Sequence, residues 1–404
     1  MLGGGIIPNS LSIEKEASSV IYNQDNKHIA LAQKLILLSV FSCFTYQWVA
    51  RVIIVATVLT FMFLPGIRKI VFSKKSSFVV LAFSVLGWIV SLCYVNINGI
   101  VAYPMFFAIM YFCIVVRDIM TRAFFEKMLD VMCAGGCFAS FVAAIEKILQ
   151  IPNYSIRVQA GFPNPNFLGA ALMIAVFVCI YKVANDAKKP IVYFVVAVIN
   201  AGGILLCGSM SLWVVMAIGS IILFVMNKNT RMLIALLSAM AVVILALFLV
   251  PQIFTRLDEV SLTTQNRLDI WAFTIENIKT APIFGRGFYA YKHLYGQMIA
   301  TRPELIQVSL AHNLVLDSLL CHGIVGSGVI WSYIILYFKD LISCRKKLKA
   351  NGQSRTLNSF IIAVCIAILL YGIIDTTFVW VQSGLPLLMI LSGLGADENK
   401  LKSI

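Results

Sequence analysis

Stretches of about twenty apolar residues recur from roughly residue 29 to residue 394, and no other feature limits the architecture of this chain so severely. At ~1.5 Å of rise per residue, roughly 17 to 25 such residues carry an α-helix across the ~30 Å hydrocarbon layer of a bilayer. In hydrocarbon every backbone N–H and C=O must be satisfied inside the protein, and a helix does this within one segment. About twelve runs can be placed, near residues 29–48, 49–66, 77–96, 99–116, 130–150, 166–182, 190–207, 210–227, 232–252, 313–338, 357–375 and 380–395. With 60% hydrophobic and 12% charged residues, a soluble globule built around one core is excluded. The expected fold is therefore all-α: a polytopic membrane protein of about 12 transmembrane helices, with a large outer loop between the ninth and tenth. Its parts are a polar tail at 1–28, nine spans over 29–252, the loop at 253–312, three spans over 313–395 and a short tail at 396–404.

Lysines and arginines between the spans set the orientation, because basic loops resist translocation. Arg68, Lys69, Lys74 and Lys75 follow the second run, and Arg117, Arg122 and Lys127 the fourth. Lys182, Lys188 and Lys189 follow the sixth, Lys228 and Arg231 the eighth, and Lys339 to Arg355 the tenth. This pattern predicts both termini in the cytoplasm and residues 253–312 outside. The formal charge of +14 is then topological, dispersed among short loops, and gives no reason to expect a nucleic-acid partner. The tail at 1–28 lacks the basic start and small-residue cleavage site of a signal peptide, so the first span is expected to act as the targeting signal. The ten cysteines lie almost entirely within apolar runs and show no CxxC spacing, which reads as reduced packing residues.

Two outer segments interrupt the apolar rhythm. Residues 151–166 read IPNYSIRVQAGFPNPN. Pro163 and Pro165 turn the preceding residues away from helix, and Asn164 and Asn166 suit a turn and an N-cap delivering the chain into the sixth span. In the large loop, Leu268, Trp271, Ala272, Ile275 and Ile278 fall at helical spacing and predict an amphipathic helix over 266–278 at the outer interface, ended by Pro282, Gly285 and Gly287. A second short helix is expected over 290–299. The surrounding aromatics suit a membrane interface and a sugar-binding surface equally.

His312 opens the tenth span at its outer end. There the positive end of the helix dipole and partial desolvation both disfavour imidazolium, leaving a neutral ring able to take a proton. An interfacial capping histidine has the same spacing. Arg157, Arg256, Arg267, Arg286 and Arg302 are fixed cations whose planar forks suit phosphate, a diphosphate above all. Asp258, Glu259, Asp269, Glu276 and Glu304 nearly balance them, so a solvated, neutralised loop is the competing reading. The N-terminus of the sixth span, near Asn166, offers further backbone donors to an anion. Asp317 lies one turn beyond Asn313; a carboxylate within a span is costly, and orienting His312 or an arginine is its expected task. His322, deeper still, reads as a packed, hydrogen-bonded histidine. The outer loops hold no DxD pair or His/Cys cluster, and the chain has no Walker A, GxSxG or HExxH. A metal-free, cofactor-free reaction on an arginine-clamped substrate is the chemistry left.

The run NRLDIWAF at 266–273, Pro282, GRGF at 285–288, and the pair His312 and Asn313 followed by Gly323 and Gly326 together resemble the O-antigen ligase and polymerase superfamily. GFPNPNFLG at 161–169 looks like an upstream element of the same family, and ten residues between His312 and Gly323 are similar to the histidine motif of the ligases. The resemblance spans roughly residues 150 to 340. It implies a glycosyltransferase on the outer face of the bacterial inner membrane, with Arg267 and Arg286 as diphosphate ligands and His312 as the base. The implied donor is an undecaprenyl-diphosphate-linked glycan. The implied acceptor is lipid A core for a ligase, or a second lipid-linked glycan for a polymerase, which would also involve a chain-length regulator. Where relatives carry a Ser-Arg pair near the start of the eighth span, this chain reads Ser209, Met210, Ser211, so one cation is missing. A lipid-linked sugar flippase shares the twelve-span layout, but it would place its long connection in the cytoplasmic middle, whereas here the longest loop is outside.

Overall fold

The computed structural model describes residues 27–72, 74–150, 157–185, 189–249 and 259–402. Arg256, Asp258 and nearly all of the 1–28 tail lie outside these described residues. Residues 27–42 form helix α1. There follow α2 (Gln47–Phe63), α3 (Pro65–Phe72), α4 (Lys75–Cys93), α5 (Ile97–Asp118), α6 (Arg122–Leu149), α7 (Pro165–Asn185), α8 (Pro190–Cys207), α9 (Met210–Met226) and α10 (Thr230–Leu249). The outer loop carries α11 (Glu259–Ile278) and α12 (Ala290–Met298), and the chain ends with α13 (Leu314–Ala350), α14 (Thr356–Gly372), α15 (Val381–Ser392) and α16 (Leu394–Lys402). Among the described residues there is no strand.

Six of the expected runs, those of α4, α5, α6, α7, α8 and α13, are helices long and apolar enough to cross a membrane. The apolar helices α2, α9 and α14 are shorter. Burial separates centre from periphery: 83% of the apolar segment of α7 is inside the protein, against 22% of that of α8. Large side chains such as Val52, Ile191 and Phe194 therefore point outward, which is tolerable only where the surroundings are apolar. Around α7 stand α6, α8, α9 and α15. Caps follow local chemistry. Thr121 Oγ1 accepts from Phe124 N–H at the start of α6, and α8 runs from Pro190 to Gly208, whose φ of 63° reverses the chain.

The structure departs from expectation in α11 and α13. α11 begins at Glu259, seven residues before the expected start at 266, and it buries Ile270, Phe273, Thr274 and Asn277. Leu268 and Ile275 of the expected apolar stripe are exposed instead. The buried face joins Tyr291, Leu294, Ala311, Leu320 and Cys321 in a small core of its own, distinct from the main one. α13 extends to Ala350, beyond the expected 338, and is broken at Gly323 (φ 60°, ψ −167°).

The break has a backbone cause. Arg286 N–H and Gly287 N–H donate to the carbonyls of Leu320 and Cys321 at 3.0 and 2.8 Å, while Ile324 N–H and Val325 N–H donate to Pro282 and Ile283 at 2.8 and 3.1 Å. The loop at 282–287 thus satisfies the groups that the interrupted helix leaves unpaired, the condition for irregular backbone within a membrane protein. A Cβ on Gly323 would sit 2.3 Å from the Ile283 carbonyl oxygen, and one on Gly285 2.5 Å from the main chain of residues 321–323. Both glycines also have φ above +60 or at it, where side chains are strained.

Candidate functional site

The chain reaches α13 through a tightly specified turn. Asp317 Oδ1 accepts Ala311 N–H at 2.9 Å, fixing the residue before His312. Asn313 caps the helix, its Oδ1 accepting Val315 and Leu316 N–H at 3.0 and 3.1 Å, while its Nδ2 donates to the Ile373 carbonyl at 3.1 Å. Held between these two anchors, His312 adopts φ 51°, a left-handed conformation unusual for a residue with a side chain. Its ring is thereby delivered to the connection between α14 and α15, where Nδ1 lies 3.0 Å from Asp375 Oδ1.

Asp375 is almost wholly buried, with 1% of its surface exposed. A carboxylate in such a place needs partners. Oδ1 also accepts Thr376 N–H at 2.8 Å, and Oδ2 accepts from Asn166 Nδ2 at 3.0 Å. Asn166 Oδ1 in turn accepts from the Arg157 guanidinium, whose Nε donates to the Cys207 carbonyl at 2.7 Å. Arg157 therefore reaches the α8–α9 turn, just before Ser209, beside the place where the resemblance expected a cation. Burial by itself would push the Asp375 carboxyl up. The hydrogen bond from His312, with the nearby positive charge of Arg267, outweighs burial and holds it below the ordinary carboxylate value. An ionised Asp375 accepts a hydrogen bond from Nδ1–H, and the tautomer this selects leaves Nε2 as an acceptor. Nε2 has no hydrogen-bond partner among the described residues, and the side chain is 24% exposed.

Arg267, on α11, is half-buried and close enough for its charge to act on both Asp375 and Tyr371. Among the described residues it has no carboxylate in direct contact. Glu146 prepares the opposite side: its carboxylate accepts Gln159 N–H at 3.0 Å and Ala160 N–H at 2.6 Å, ordering the turn that carries Arg157. Arg51, which the sequence pattern did not single out, lies over the rings of Trp48 and Trp380 at 4.7 and 5.4 Å.

The other candidates have partners of their own. Arg286 donates to Thr280 Oγ1 at 2.8 Å and lies 4.8 Å over the Tyr94 ring, with no hydrogen bond or ion pair to His312, Asp375 or Arg267. Arg302 is held in a two-pronged pair by Glu276 at 2.9 and 3.0 Å. The first-turn N–H of Asn166 is taken by Asn164 Oδ1 at 2.8 Å, so it is not left for an anion. His322 is buried among Phe83, Tyr103 and Phe288, with Nδ1 2.9 Å from the Tyr103 hydroxyl. Asp375 was missed. Its only signal in the sequence is a lone acid at the edge of an apolar run, which by itself points to a cavity or a cationic partner.

The model of the Wzy_C family, described as O-antigen ligase, matches residues 195–331. The matched segment runs from within α8 into α13 and includes Arg267, Arg286 and His312; Arg157, Asn166 and Asp375 lie outside it. This is the superfamily that the motifs resemble. No curated protein matches the chain. Together with the apolar helices, the match supports a membrane enzyme of the O-antigen ligase and polymerase kind.

Proposed function

We propose that the chain is an inverting, metal-independent glycosyltransferase on the outer face of the bacterial inner membrane, moving a glycan from undecaprenyl diphosphate to a hydroxyl of lipid A core. The observation that carries this reading is the His312–Asp375 pair, with Nε2 lacking a hydrogen-bond partner among the described residues and Arg267 close enough to act on Asp375, in a chain whose 195–331 segment matches O-antigen ligase. The acceptor oxygen attacks the anomeric carbon as the bond from that carbon to the diphosphate oxygen breaks. His312 Nε2 takes the hydroxyl proton, and Asp375 stabilises the imidazolium that results. Such a base contributes about 10² to 10⁴ in rate, roughly 3 to 5 kcal/mol. Negative charge grows on the diphosphate, where Arg267, backed by Arg157, needs no reorganisation to receive it. No general acid is required, because the leaving group is already stable as an anion.

The test is His312→Ala in membranes that still contain the chain. Loss of glycan transfer is expected, and transfer close to wild type would overturn the base role. The banding pattern of a deletion strain assigns the acceptor: loss of a ligase leaves long lipid-linked chains uncoupled from core, and loss of a polymerase leaves single repeat units.

A further inference from the structure

Arg286, assigned by resemblance to the same diphosphate as Arg267, stacks on Tyr94 beside the break of α13. Beside it is a cleft of about 330 Å³ between the end of α4 and the loop at 281–285, lined among others by Val90, Tyr94, Pro282, Ile283 and Phe284. The wall is apolar, and Ile283 and Phe284 are half exposed on the outside of the protein. Arg286 directly follows Gly285 of this lining. Its guanidinium stacks on Tyr94 and donates once, to Thr280, while its Nε is buried with no partner. Next to it the His293 ring lies against the Tyr94 main chain, and its Nε2 is likewise buried and unpaired. Two buried polar nitrogens without a hydrogen-bond partner among the described residues thus lie against Tyr94, a residue that also lines this apolar slot. Buried polar groups are rarely left so, and each calls for a missing partner.

We propose that this cleft binds an anionic phospholipid of the surrounding bilayer, with its phosphodiester against Arg286 and His293 and part of an acyl chain along Pro282, Ile283 and Phe284. A single guanidinium matches the single charge of a phosphodiester. The apolar wall is open where lipid would be, and no base or nucleophile of the His312 centre touches it. The inference rests on the membrane placement proposed above but not on glycan transfer. The bound lipid would brace the 282–287 loop, the segment whose backbone completes broken α13.

The experiment uses the full-length protein in nanodiscs of phosphatidylcholine, with and without phosphatidylglycerol, reading lipid retained per protein by mass spectrometry and the melting temperature. Wild type is expected to retain phosphatidylglycerol preferentially and to melt higher with it. Arg286→Gln is expected to lose roughly tenfold or more in that preference, the scale of one charge-assisted hydrogen bond, and Arg286→Lys to keep part of it. Tyr94→Leu, which keeps the main-chain contact but removes the stacking face, is expected to weaken retention as well, and serves if Arg286→Gln does not fold. His312→Ala should retain lipid as wild type does, so failure of the catalytic reading and failure of this one are told apart. Equal retention of phosphatidylglycerol by wild type and Arg286→Gln, or no preference over phosphatidylcholine in wild type, would overturn the proposal. So would displacement of the lipid by undecaprenyl diphosphate at equal concentration, which would make the cleft part of the donor site.

Discussion

His312 precedes the cap of α13 and His322 lies ten residues further on, inside that helix, and their surroundings make them different reagents. His312 sits in a left-handed turn with a carboxylate on Nδ1 and, among the described residues, no hydrogen-bond partner on Nε2. His322 has a phenol on Nδ1 and aromatic rings on three sides. One ring can exchange a proton with a ligand; the other is a packing element with a satisfied polar tip. The arginines divide in the same way: Arg267 acts on Asp375 and, among the described residues, has no carboxylate of its own in contact, whereas Arg302 is neutralised by Glu276 at the exposed surface. Residue type is common to both regions, and only the partner distinguishes chemistry from support.

Breaking the first half of this comparison should give the largest effect. His312→Ala is expected to lower glycan transfer by about 10² to 10⁴, measured in vesicles containing the lipid-linked donor and acceptor. Arg267→Gln should cost about 10² to 10³ in turnover, the scale of one donor removed from a developing anion, with Arg267→Lys recovering part of it. Asp375→Asn leaves the side-chain shape but cannot select the same tautomer, and about 10² in turnover is the expected loss. The same variant sharpens the electrostatic side of the argument. Because the carboxyl of Asp375 is held below its ordinary value in the folded protein, its contribution to stability is complete above the unfolded carboxylate value of about 3.9 and disappears as pH falls through the lower folded value. The acid limb of a melting-temperature profile should therefore flatten in Asp375→Asn; an unchanged limb would show that His312 does not stabilise the ionised form.

The helices were legible because a run of apolar residues admits few alternatives, and α8 and α9 fall within a residue of the runs read for them. His312, Asn313, Asp317 and Gly323 stood out on one helix because local spacing reveals local neighbours. What the sequence could not show was long-range pairing. Asp375 meets His312 from 63 residues away, and Asn166 meets Asp375 from 209 away, with no periodicity linking them. The docking of 282–287 was hidden for the same reason: the segment is drawn into the break of α13 by main-chain hydrogen bonds, which side-chain spacing does not reveal. Glycine was the readable trace of that insertion. Gly323→Ala would push a methyl into the Ile283 carbonyl at an unfavourable φ, and a loss of about 1 to 3 kcal/mol in stability is expected from denaturation in detergent.

The smallest effect on turnover belongs to His322, and it tests the comparison from the other side. His322→Phe keeps a planar ring between Phe83 and Phe288, so transfer should persist near the wild-type rate in protein that folds. Stability should not persist unchanged, because the buried Tyr103 hydroxyl loses its acceptor at 2.9 Å, and an unsatisfied buried polar group costs about 1 to 3 kcal/mol. Removing that hydroxyl as well, in Tyr103→Phe with His322→Phe, should return most of the loss, since replacing both partners by apolar groups of like shape is close to neutral. A double variant as unstable as the single one would mean that His322 is held for a reason beyond this bond. A single variant that abolishes transfer while folding normally would move the chemistry from the mouth of α13 to its interior and end the distinction between the two histidines.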